Sequence, residues 1–302
     1  MNRIFSINPM SIVFKPRKEP RRILLCSPDF FDIIDVKNPY MQGHLGQVDQ
    51  TAVSAQWELL KQVYVKWVDK GYLDQVLVLA GVEGCEDMVF CANQSFPFVD
   101  TNGIKSVILS KMKHPSRQKE VPYFKEFYES IGYKCIELTH TDLFEGMGDT
   151  IPHPGKQLYY GGYGHRSQAT AYQEISDITG TPIIPLELIS ENFYHLDTCF
   201  VPLSEDAVML CKDAFSNEGM AKIQSYFKKI YYIDAKEAID TFCLNAHVIN
   251  YPENTKKVAV LQKGSVQAIE ALKAEGYEIE EIETSAFMKS GGSVFCMKMM
   301  IY

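Results

Sequence analysis

The sequence has 302 residues, of which 46% are hydrophobic and 23% are charged, a balance typical of globular proteins with a sizeable core. It carries 30 basic and 38 acidic side chains, so its formal net charge is −8. A nucleic-acid-binding protein usually leaves a basic footprint, so we expect no nucleic-acid partner. A locally acidic pocket would still suit a small cationic ligand.

No segment of the sequence predicts a membrane span or a secretory signal. Residues Met1 to Arg22 lack the apolar run of a signal peptide, and no apolar stretch approaches the roughly 20 residues that cross a bilayer. The eight cysteines are scattered and form no Cys-x-x-Cys pair, so they signal neither a metal cage nor a redox pair. We therefore expect free thiols, a cytoplasmic location, and no metal or cofactor.

Short apolar runs alternate with segments of helical periodicity along the chain. The predicted strands are Arg22–Cys26, Gln75–Ala80, Ser106–Leu109, Lys134–Leu138, Gln157–Tyr160, His195–Pro202, Ala207–Cys211, Lys257–Leu261 and Ser293–Ile301. The predicted helices are Gln47–Lys70, Arg117–Ile131, Ser167–Thr179, Glu218–Lys229 and Ser265–Glu275. Gly132, Gly180 and Gly276 follow three of these helices as stop signals. The alternation predicts an α/β fold, and the lack of a long linker favours a single domain over residues 1–302.

Two acidic segments are the first candidates for a functional site. Asp87 and Asn93 are six residues apart, which places both on one face if the segment is a strand, with a solvated strand end as the alternative. Glu145 and Asp149 flank a Gly-Met-Gly sequence. Glycines there let the backbone turn tightly and direct a carboxylate inward, although acidic glycine-rich segments are also common in surface loops.

A glycine-rich segment, Gly161-Gly-Tyr-Gly-His-Arg166-Ser, follows a predicted strand and precedes a predicted helix. It lacks the Gly-Lys-Ser/Thr ending of a phosphate-binding loop and the Gly-x-Gly-x-x-Gly spacing of a dinucleotide-binding loop. Arg166 can bind a carboxylate through two N–H groups, or it can lie at the surface, which is the commoner fate of an arginine.

His195-Leu-Asp197 and Cys296 complete the candidates. On a strand, His195 and Asp197 point to the same face and can share a site; the alternative is a half-exposed strand with its polar face in water. Cys296 follows a Gly-Gly pair and begins the last predicted strand. A single cysteine is more often a buried core residue than a nucleophile, so Cys296 alone carries little weight.

The order of these motifs is more specific than any one of them: Asp…Asn, Glu-Gly-x-Gly-Asp, Gly-x-x-x-Arg-Ser, His-x-Asp, then Gly-Gly…Cys. It resembles the guanidine-modifying enzymes of the amidinotransferase superfamily, which include arginine deiminases, dimethylarginine dimethylaminohydrolases, glycine amidinotransferases and cyanobacterial arginine dihydrolase domains. The resemblance runs from Pro28-Asp-Phe-Phe-Asp and Asn38-Pro-Tyr-Met41 to the final predicted strand. It implies a five-bladed α/β propeller of strand-strand-helix-strand units around a central pocket.

The resemblance also implies a covalent mechanism. It assigns Cys296 the attack on the guanidinium carbon, His195 the protonation of the leaving amine and the activation of water, and Glu145 the support of His195 and substrate. A thiolate is the active form of cysteine, so its pKa must fall when a cation is near. The implied substrate-binding residues are Asp87, Asp197, Asn93, Arg166 and Asn38, the last two at the α-carboxylate or amino end. The partner is then a small cationic guanidino substrate, and a homo-oligomer is compatible with the sequence.

Four features compare differently with the patterns of the individual families, and the first three bear on the substrate. The His-x-Asp form with Asp197 is similar to deiminases and dihydrolases, and implies two unsubstituted guanidinium NH₂ groups. Asp87, in an Asp-x-x-Phe context, is similar to the dimethylarginine enzymes, whereas the dihydrolases carry Asn there. Asn93 stands where typical deiminases have Asp, and a neutral amide binds a cation more weakly. Glu145 and Asp149 are spaced by four residues, where deiminases and dimethylarginine enzymes space them by three.

The predicted function is hydrolysis of a guanidinium C–N bond in arginine or a derivative, giving citrulline and ammonia or continuing to ornithine. One alternative is amidinotransfer, in which an amine instead of water resolves the covalent intermediate. Another is a non-catalytic propeller that binds a macromolecular surface, although the combination of Cys296, His195 and Glu145 argues against it. The last alternative is an unrelated α/β protein in which the motifs occur by accident.

Overall fold

The strands of this protein form five sheets of three strands each, within residues 14–251 and 256–302, which the computed structural model describes. The strands are β1 (Arg22–Cys26), β2 (Gln75–Leu79), β3 (Ser95–Val99), β4 (Lys105–Leu109), β5 (Lys134–Glu137), β6 (Thr150–Pro152), β7 (Tyr159–Tyr163), β8 (Ile183–Glu187), β9 (Phe200–Pro202), β10 (Ala207–Leu210), β11 (Lys229–Tyr232), β12 (His247–Ile249), β13 (Lys257–Gln262), β14 (Tyr277–Ile282) and β15 (Met299–Ile301). The α-helices are α1 (Gln50–Asp69), α2 (Pro115–Gln118), α3 (Val121–Ser130), α4 (Gly146–Asp149), α5 (Ala171–Thr179), α6 (Asn217–Tyr226), α7 (Ala235–Thr241), α8 (Gln267–Ala274) and α9 (Ser285–Met288). The predicted α/β class is therefore confirmed. The sequence predicts no secretory signal in residues Met1 to Arg22. Residues 1–13 of that segment lie outside the described residues.

Every sheet repeats one topology, which we call a unit. A central strand pairs antiparallel with one neighbour and parallel with the other, as β4 does with β3 and β5. Parallel neighbours cannot be joined by a tight turn, so each parallel pair needs a crossover connection. A helix makes that crossover in all five units: α1, α3, α5, α6 and α8.

The longest helix shows how the sequence sets these elements. The Asp49 carboxylate accepts hydrogen bonds from the N–H groups of Thr51 and Ala52 at 3.0 and 3.1 Å, which caps the first turn of α1. The predicted start at Gln47 was therefore three residues early. Val53, Trp57, Leu60, Tyr64 and Trp67 follow at helical spacing and are all buried against the sheets.

The two ends of the described chain meet in one sheet. β15 pairs antiparallel with β1, with Arg22 opposite Ile301 and Leu24 opposite Met299. The C-terminal strand thus supplies the antiparallel neighbour of β1, and this sheet follows the same plan as the other four.

Two predicted strands begin later than expected, and the segment from Asp87 to Asn93, for which a strand was one of two alternatives, is not a strand. All three segments hold site residues. Asp87 to Asn93 forms consecutive turns, with Phe90 N–H donating to Asp87 O at 3.0 Å. His195 precedes a short 3₁₀ turn over Leu196–Thr198, and the strand starts only at Phe200. Cys296 also lies in a turn, and the last strand starts at Met299. In each case local hydrogen bonds take up backbone groups that a sheet ladder would need.

Candidate active site

Polar side chains lie in the loops that precede one strand of every unit. Asn93 precedes β3, Glu145 precedes β6, His195 precedes β9 and Cys296 precedes β15. The fifth such loop, before β12, carries Asn245, which the sequence analysis did not single out. All five residues are at most 2% exposed. Repetition of the unit therefore brings one buried polar or nucleophilic side chain from each sheet toward a common site.

Six of the eight predicted site residues line one cavity with a volume of about 20 Å³. These six are Asn38, Asp87, Asn93, Arg166, His195 and Cys296. The other two, Glu145 and Asp197, are hydrogen-bonded to His195 and Cys296 respectively. A cavity of this size holds about one water molecule. An amino-acid ligand can therefore enter only if side chains around the cavity move.

Glu145 holds His195 and Arg166 together. Its Oε2 atom lies 2.7 Å from His195 Nε2 and 3.1 Å from Arg166 Nη1. Burial alone would raise the pKa of Glu145, but the Arg166 charge and the His195 hydrogen bond hold that pKa well below its usual range. Burial lowers the pKa of His195 to about 4, against the opposing effect of Glu145. At neutral pH the pair is an ionised carboxylate and a neutral imidazole that can accept a proton.

The loop that carries Glu145 is held by close packing around two glycines. Gly146 has φ of +58°, and a Cβ there would overlap the carbonyl oxygen of Ser95. A Cβ at Gly148 would overlap Asn93 Nδ2. These positions therefore need glycine, and the inward-facing carboxylate expected from the motif is what the structure has.

Asp149 connects the Glu145 loop to the His195 turn. Its Oδ2 accepts a hydrogen bond from Ser167 Oγ at 2.6 Å, and its Oδ1 accepts one from Leu196 N–H at 3.1 Å. Ser167 Oγ in turn accepts from Glu145 N–H at 3.0 Å. Burial raises the pKa of Asp149 well above its usual range. Asp149 therefore positions the two segments instead of lining the cavity.

Cys296 is held between Asp197 and Asn245. The Cys296 thiol donates to Asp197 Oδ2 at 3.2 Å, and Asn245 Nδ2 donates to Cys296 Sγ at 3.1 Å. Burial, the Asp197 charge and the hydrogen bond to Asp197 raise the pKa of Cys296 well above its usual range. Burial also raises the pKa of Asp197 to about 7, against the opposing effect of the Cys296 thiol. The resting cysteine is therefore a neutral thiol. Asp197 Oδ1 is buried without a hydrogen-bond partner among the described residues.

The two residues expected to bind a guanidinium from the first acidic segment are already engaged. Asp87 Oδ2 pairs with Lys37 Nζ at 3.0 Å, and the side chain of each is only 3% exposed. Asn93 Oδ1 accepts a hydrogen bond from Arg117 Nη1 at 3.0 Å, while its Nδ2 is buried without a partner among the residues described. In this state Asn93 offers a free Nδ2 donor, and its Oδ1 atom, which already accepts from Arg117, has one lone pair left for a ligand.

The residues predicted to hold the α-amino-acid end have protein partners too. Arg166 donates to the carbonyl oxygen of Lys37 at 3.0 Å and lies over the Tyr194 ring, 4.8 Å from its centroid. Asn38 caps the short turn at Pro39–Met41, where its Oδ1 accepts from Tyr40 N–H at 3.0 Å. Both side chains line the cavity, so ligand binding must exchange some of these bonds.

Sequence reasoning missed three residues at the site. Lys37 and Arg117 line the cavity, and Asn245 contacts the cysteine. Lys37 and Arg117 lie in segments with no distinctive motif, so only the fold reveals them. Asn245 precedes the strand of its unit by two residues, as Asn93 does in another unit, but neither strand was predicted, so only the structure reveals this spacing.

Among residues 14–251 and 256–302, no helix is long and apolar enough to cross a membrane. No group of three or more His, Cys, Asp or Glu side chains among them is arranged to hold a metal ion. All eight cysteines are free thiols.

The chain is similar to several guanidine-modifying proteins. A family model described as N,N dimethylarginine dimethylhydrolase, eukaryotic, matches residues 69–302. The bifunctional arginine dihydrolase/ornithine cyclodeaminase ArgZ of Synechocystis sp. is 31% identical over 282 residues, which are 93% of this chain and 37% of ArgZ. The N(G),N(G)-dimethylarginine dimethylaminohydrolase of Mycobacterium tuberculosis is 29% identical over 288 residues, which are 95% of this chain and 88% of that protein.

A solved structure of the N-terminal domain of ArgZ, covalently bonded to a reaction intermediate, matches with a TM-score of 0.82 and 32% identity. The match covers 92% of this chain and 97% of that domain. The chain thus spans 37% of the full length of ArgZ, and 38% of the related bifunctional protein AgrE of Nostoc sp.. Since the family model covers most of the sequence, the chain belongs to the N,N-dimethylarginine dimethylhydrolase family, within the superfamily of guanidine-modifying enzymes.

Proposed function

We propose that this protein is a hydrolase that cleaves the guanidinium C–N bond of free arginine through a covalent intermediate on Cys296. One observation carries the proposal: the buried Cys296 and the neutral His195 line the same cavity. Cys296 is hydrogen-bonded to Asp197, and His195 is hydrogen-bonded to Glu145. The covalent intermediate bound to the similar ArgZ domain supports this chemistry.

The first half-reaction needs a thiolate, yet the resting thiol is neutral. A guanidinium beside Cys296 and Asp197 would introduce a positive charge where burial now disfavours a negative one. The substrate thereby lowers the pKa of the Cys296 thiol, and the thiol proton moves to the neutral His195 imidazole. The sulfur attacks the guanidinium carbon, His195 returns the proton to the departing nitrogen, and ammonia leaves. The product on the enzyme is a thiouronium at Cys296.

The second half-reaction is hydrolysis of that thiouronium. His195 is again a neutral base, because burial keeps its pKa at about 4, and it takes a proton from water. The hydroxide adds to the same carbon, and the C–S bond breaks as the sulfur takes up the hydroxyl proton, which regenerates the Cys296 thiol and leaves citrulline. His195 then releases to solvent the proton that it took from water. Glu145, 2.7 Å from His195 Nε2, stabilises the protonated imidazole in both halves. A second round on the ureido carbon would continue to ornithine.

Asp197 favours arginine over its dimethylated form. Its Oδ1 atom is buried and has no partner among the described residues, so it is available to accept an N–H group of the ligand. An unpaired buried acceptor costs about 1–3 kcal/mol. Either terminal NH₂ of arginine can supply the donor, whereas asymmetric dimethylarginine has only one terminal NH₂, so only one of its two orientations satisfies Oδ1.

The wider proposal concerns the arrangement of the chain. We infer that the five units are blades of an α/β propeller around the cavity, and that the chain forms one catalytic domain. The five repeated units and the pairing of β15 with β1 support this arrangement. A cytoplasmic location is also proposed, since all eight cysteines are free thiols.

The proposal is tested by incubating the purified protein with arginine, asymmetric dimethylarginine, agmatine and citrulline. Ammonia, dimethylamine, citrulline and ornithine are then measured. We expect citrulline and ammonia from arginine, with dimethylarginine turned over more slowly. Turnover of none of these compounds, combined with no labelling of Cys296 by a haloacetamidine, would contradict the hydrolase assignment.

Amidinotransfer is distinguished by the same assay with and without a primary amine such as glycine. Hydrolysis predicts the same ammonia and citrulline yield in both. Transfer predicts ornithine and a new guanidino compound only when the amine is present.

A further inference from the structure

A second cavity is lined in part by residues next to Cys296 and Glu145 in the sequence. Its volume is about 100 Å³. Phe295 and Lys298, on either side of Cys296 in the sequence, line it, and so does Met147 from the glycine loop after Glu145. The walls are mainly aromatic, aliphatic and proline side chains. Several rim residues, including Asn250 and Tyr302, are only half-buried, so the cavity has a route to solvent.

Lys298 is the unusual residue of this cavity. It is 1% exposed, and its Nζ atom lies 3.3 Å from the centroid of the Phe295 ring. No carboxylate or carbonyl oxygen of the described residues accepts a hydrogen bond from this ammonium. Burial lowers the pKa of Lys298 to about 7, against the opposing effects of Asp197, Cys91 and Cys296. A buried ammonium normally has a close anionic or carbonyl partner, and here the protein provides only a ring face.

Arg17 adds a second cation to the same cavity. Its Nε–H group is buried without a hydrogen-bond partner among the residues described. One of its terminal nitrogens pairs with Glu19, which also lines the cavity. His247 lies in the wall as well, and burial together with the Lys298 charge lowers its pKa well below the usual range, so it is neutral. The cavity therefore holds two basic side chains, Arg17 and Lys298, and only Arg17 has a carboxylate partner among the described residues.

We propose that this cavity binds a small carboxylate with a short hydrocarbon tail, whose carboxylate pairs with Lys298 and whose tail contacts the aromatic wall. The unused donors select a ligand with acceptor oxygens, because the Lys298 ammonium and the Arg17 Nε–H group have no acceptor among the described residues. The apolar walls select a tail, since a fully hydrated inorganic anion would leave them in contact with water. The volume limits the tail, because a dry cavity of about 150 Å³ accommodates benzene and this one is smaller.

A ligand bound in the second cavity should affect catalysis at Cys296. Lys298 is two residues from Cys296 in the same turn, and its charge favours ionisation of Asp197. An anion bound to Lys298 would offset that favourable charge. The bound carboxylate is therefore expected to lower turnover without competing with the guanidino substrate.

The test uses the whole protein and sodium butyrate as the probe, at ionic strength held constant with sodium chloride. The thermal midpoint is followed against butyrate concentration, with 1-butanol as the uncharged analogue. We expect a saturable rise with butyrate and none with butanol. Lys298→Met keeps a long unbranched side chain without the charge. In this variant the butyrate concentration that gives half of the maximal rise should be at least tenfold higher than in the wild type. The matched control, Lys273→Met, removes an exposed lysine on α8 and should behave as wild type.

A second measurement on the wild type needs no variant. In protein labelled with ¹³C at the methionine methyl groups, butyrate should shift the Met147 and Met300 signals, because both side chains line the cavity. The proposal is overturned if butyrate gives no saturable rise, if Lys298→Met responds like wild type, or if butanol is as effective. It is also overturned if alkylation of Cys296 abolishes the response, since butyrate would then occupy the catalytic cavity.

Discussion

Replacing Asn245 with alanine tests the role of the residue that holds the nucleophile. The Asn245 amide makes four hydrogen bonds. Oδ1 accepts from the N–H groups of Ser293 and Cys296 at 3.1 and 3.2 Å, and Nδ2 donates to Asp197 O and Cys296 Sγ at 3.0 and 3.1 Å. The bond to sulfur strengthens when the thiolate forms, because one partner is then charged.

The expected loss follows from that bond. A hydrogen bond to a charged group contributes about 1.5–3 kcal/mol. Since 1.36 kcal/mol corresponds to a factor of ten, Asn245→Ala should lower kcat/KM for arginine by roughly 10- to 150-fold. The variant should also unfold more easily, because two buried N–H donors lose their acceptor at about 1–3 kcal/mol each. Urea titration of the folded fraction measures that cost separately from activity.

Alkylation by iodoacetamide separates an effect on the thiol from a general loss of structure. The Asn245 hydrogen bond lowers the pKa of Cys296 in the wild type. Removal of the Asn245 side chain should therefore raise the pKa of Cys296, and alkylation of Cys296 should be slower at any fixed pH below that pKa. The matched control is Asn250→Ala, which loses one hydrogen bond to Leu203 O at 3.0 Å, away from the nucleophile. Unchanged kcat/KM and an unchanged alkylation rate in a folded Asn245→Ala protein would refute the reasoning.

Three other predictions follow from the same geometry. Burial raises the pKa of Asp197 to about 7, so kcat/KM for arginine should fall as the pH drops below about 7 and Asp197 takes up a proton; a profile that stays flat to pH 5 contradicts this assignment. Lys37→Met should lower the KM for arginine with little change in kcat, because the Lys37 ammonium no longer occupies Asp87 at 3.0 Å; a higher KM in steady-state kinetics would mean that Lys37 helps to bind substrate. Gly148→Ala should abolish most turnover while a similar far-UV spectrum is kept, because the new Cβ overlaps Asn93 Nδ2 and approaches His195; wild-type rates would show that the loop can adjust.

Four of the five central strands, and the outer strands β2 and β5, lie within one residue of their predicted bounds. β1 has the predicted bounds, and β10 and β13 differ from theirs by a residue. These strands are buried on both faces and read as continuous apolar runs. The other outer strands were harder to predict. β6 and β12 are three residues long, and Tyr277–Ile282 alternates acids with apolar residues beside a helix, so periodicity alone missed all three.

The candidate site was predicted by motif order and not by local structure. The expectation that His195 and Asp197 share a strand face was wrong, although both residues reach the site. Leu196 N–H donates to Asp149 Oδ1, which favours a turn in this segment. The two residues are 47 positions apart in the sequence, so no local sequence pattern predicts their contact. The pairing of Lys37 with Asp87 and of Arg117 with Asn93 likewise depends on how separate units meet.

The most direct test of the covalent mechanism is mass spectrometry of the protein quenched in acid during turnover of arginine. The account predicts a mass increase equal to arginine less ammonia, confined to the peptide that contains Cys296 and absent from Cys296→Ser. An adduct on any other cysteine, or turnover by Cys296→Ser near the wild-type rate, would contradict it.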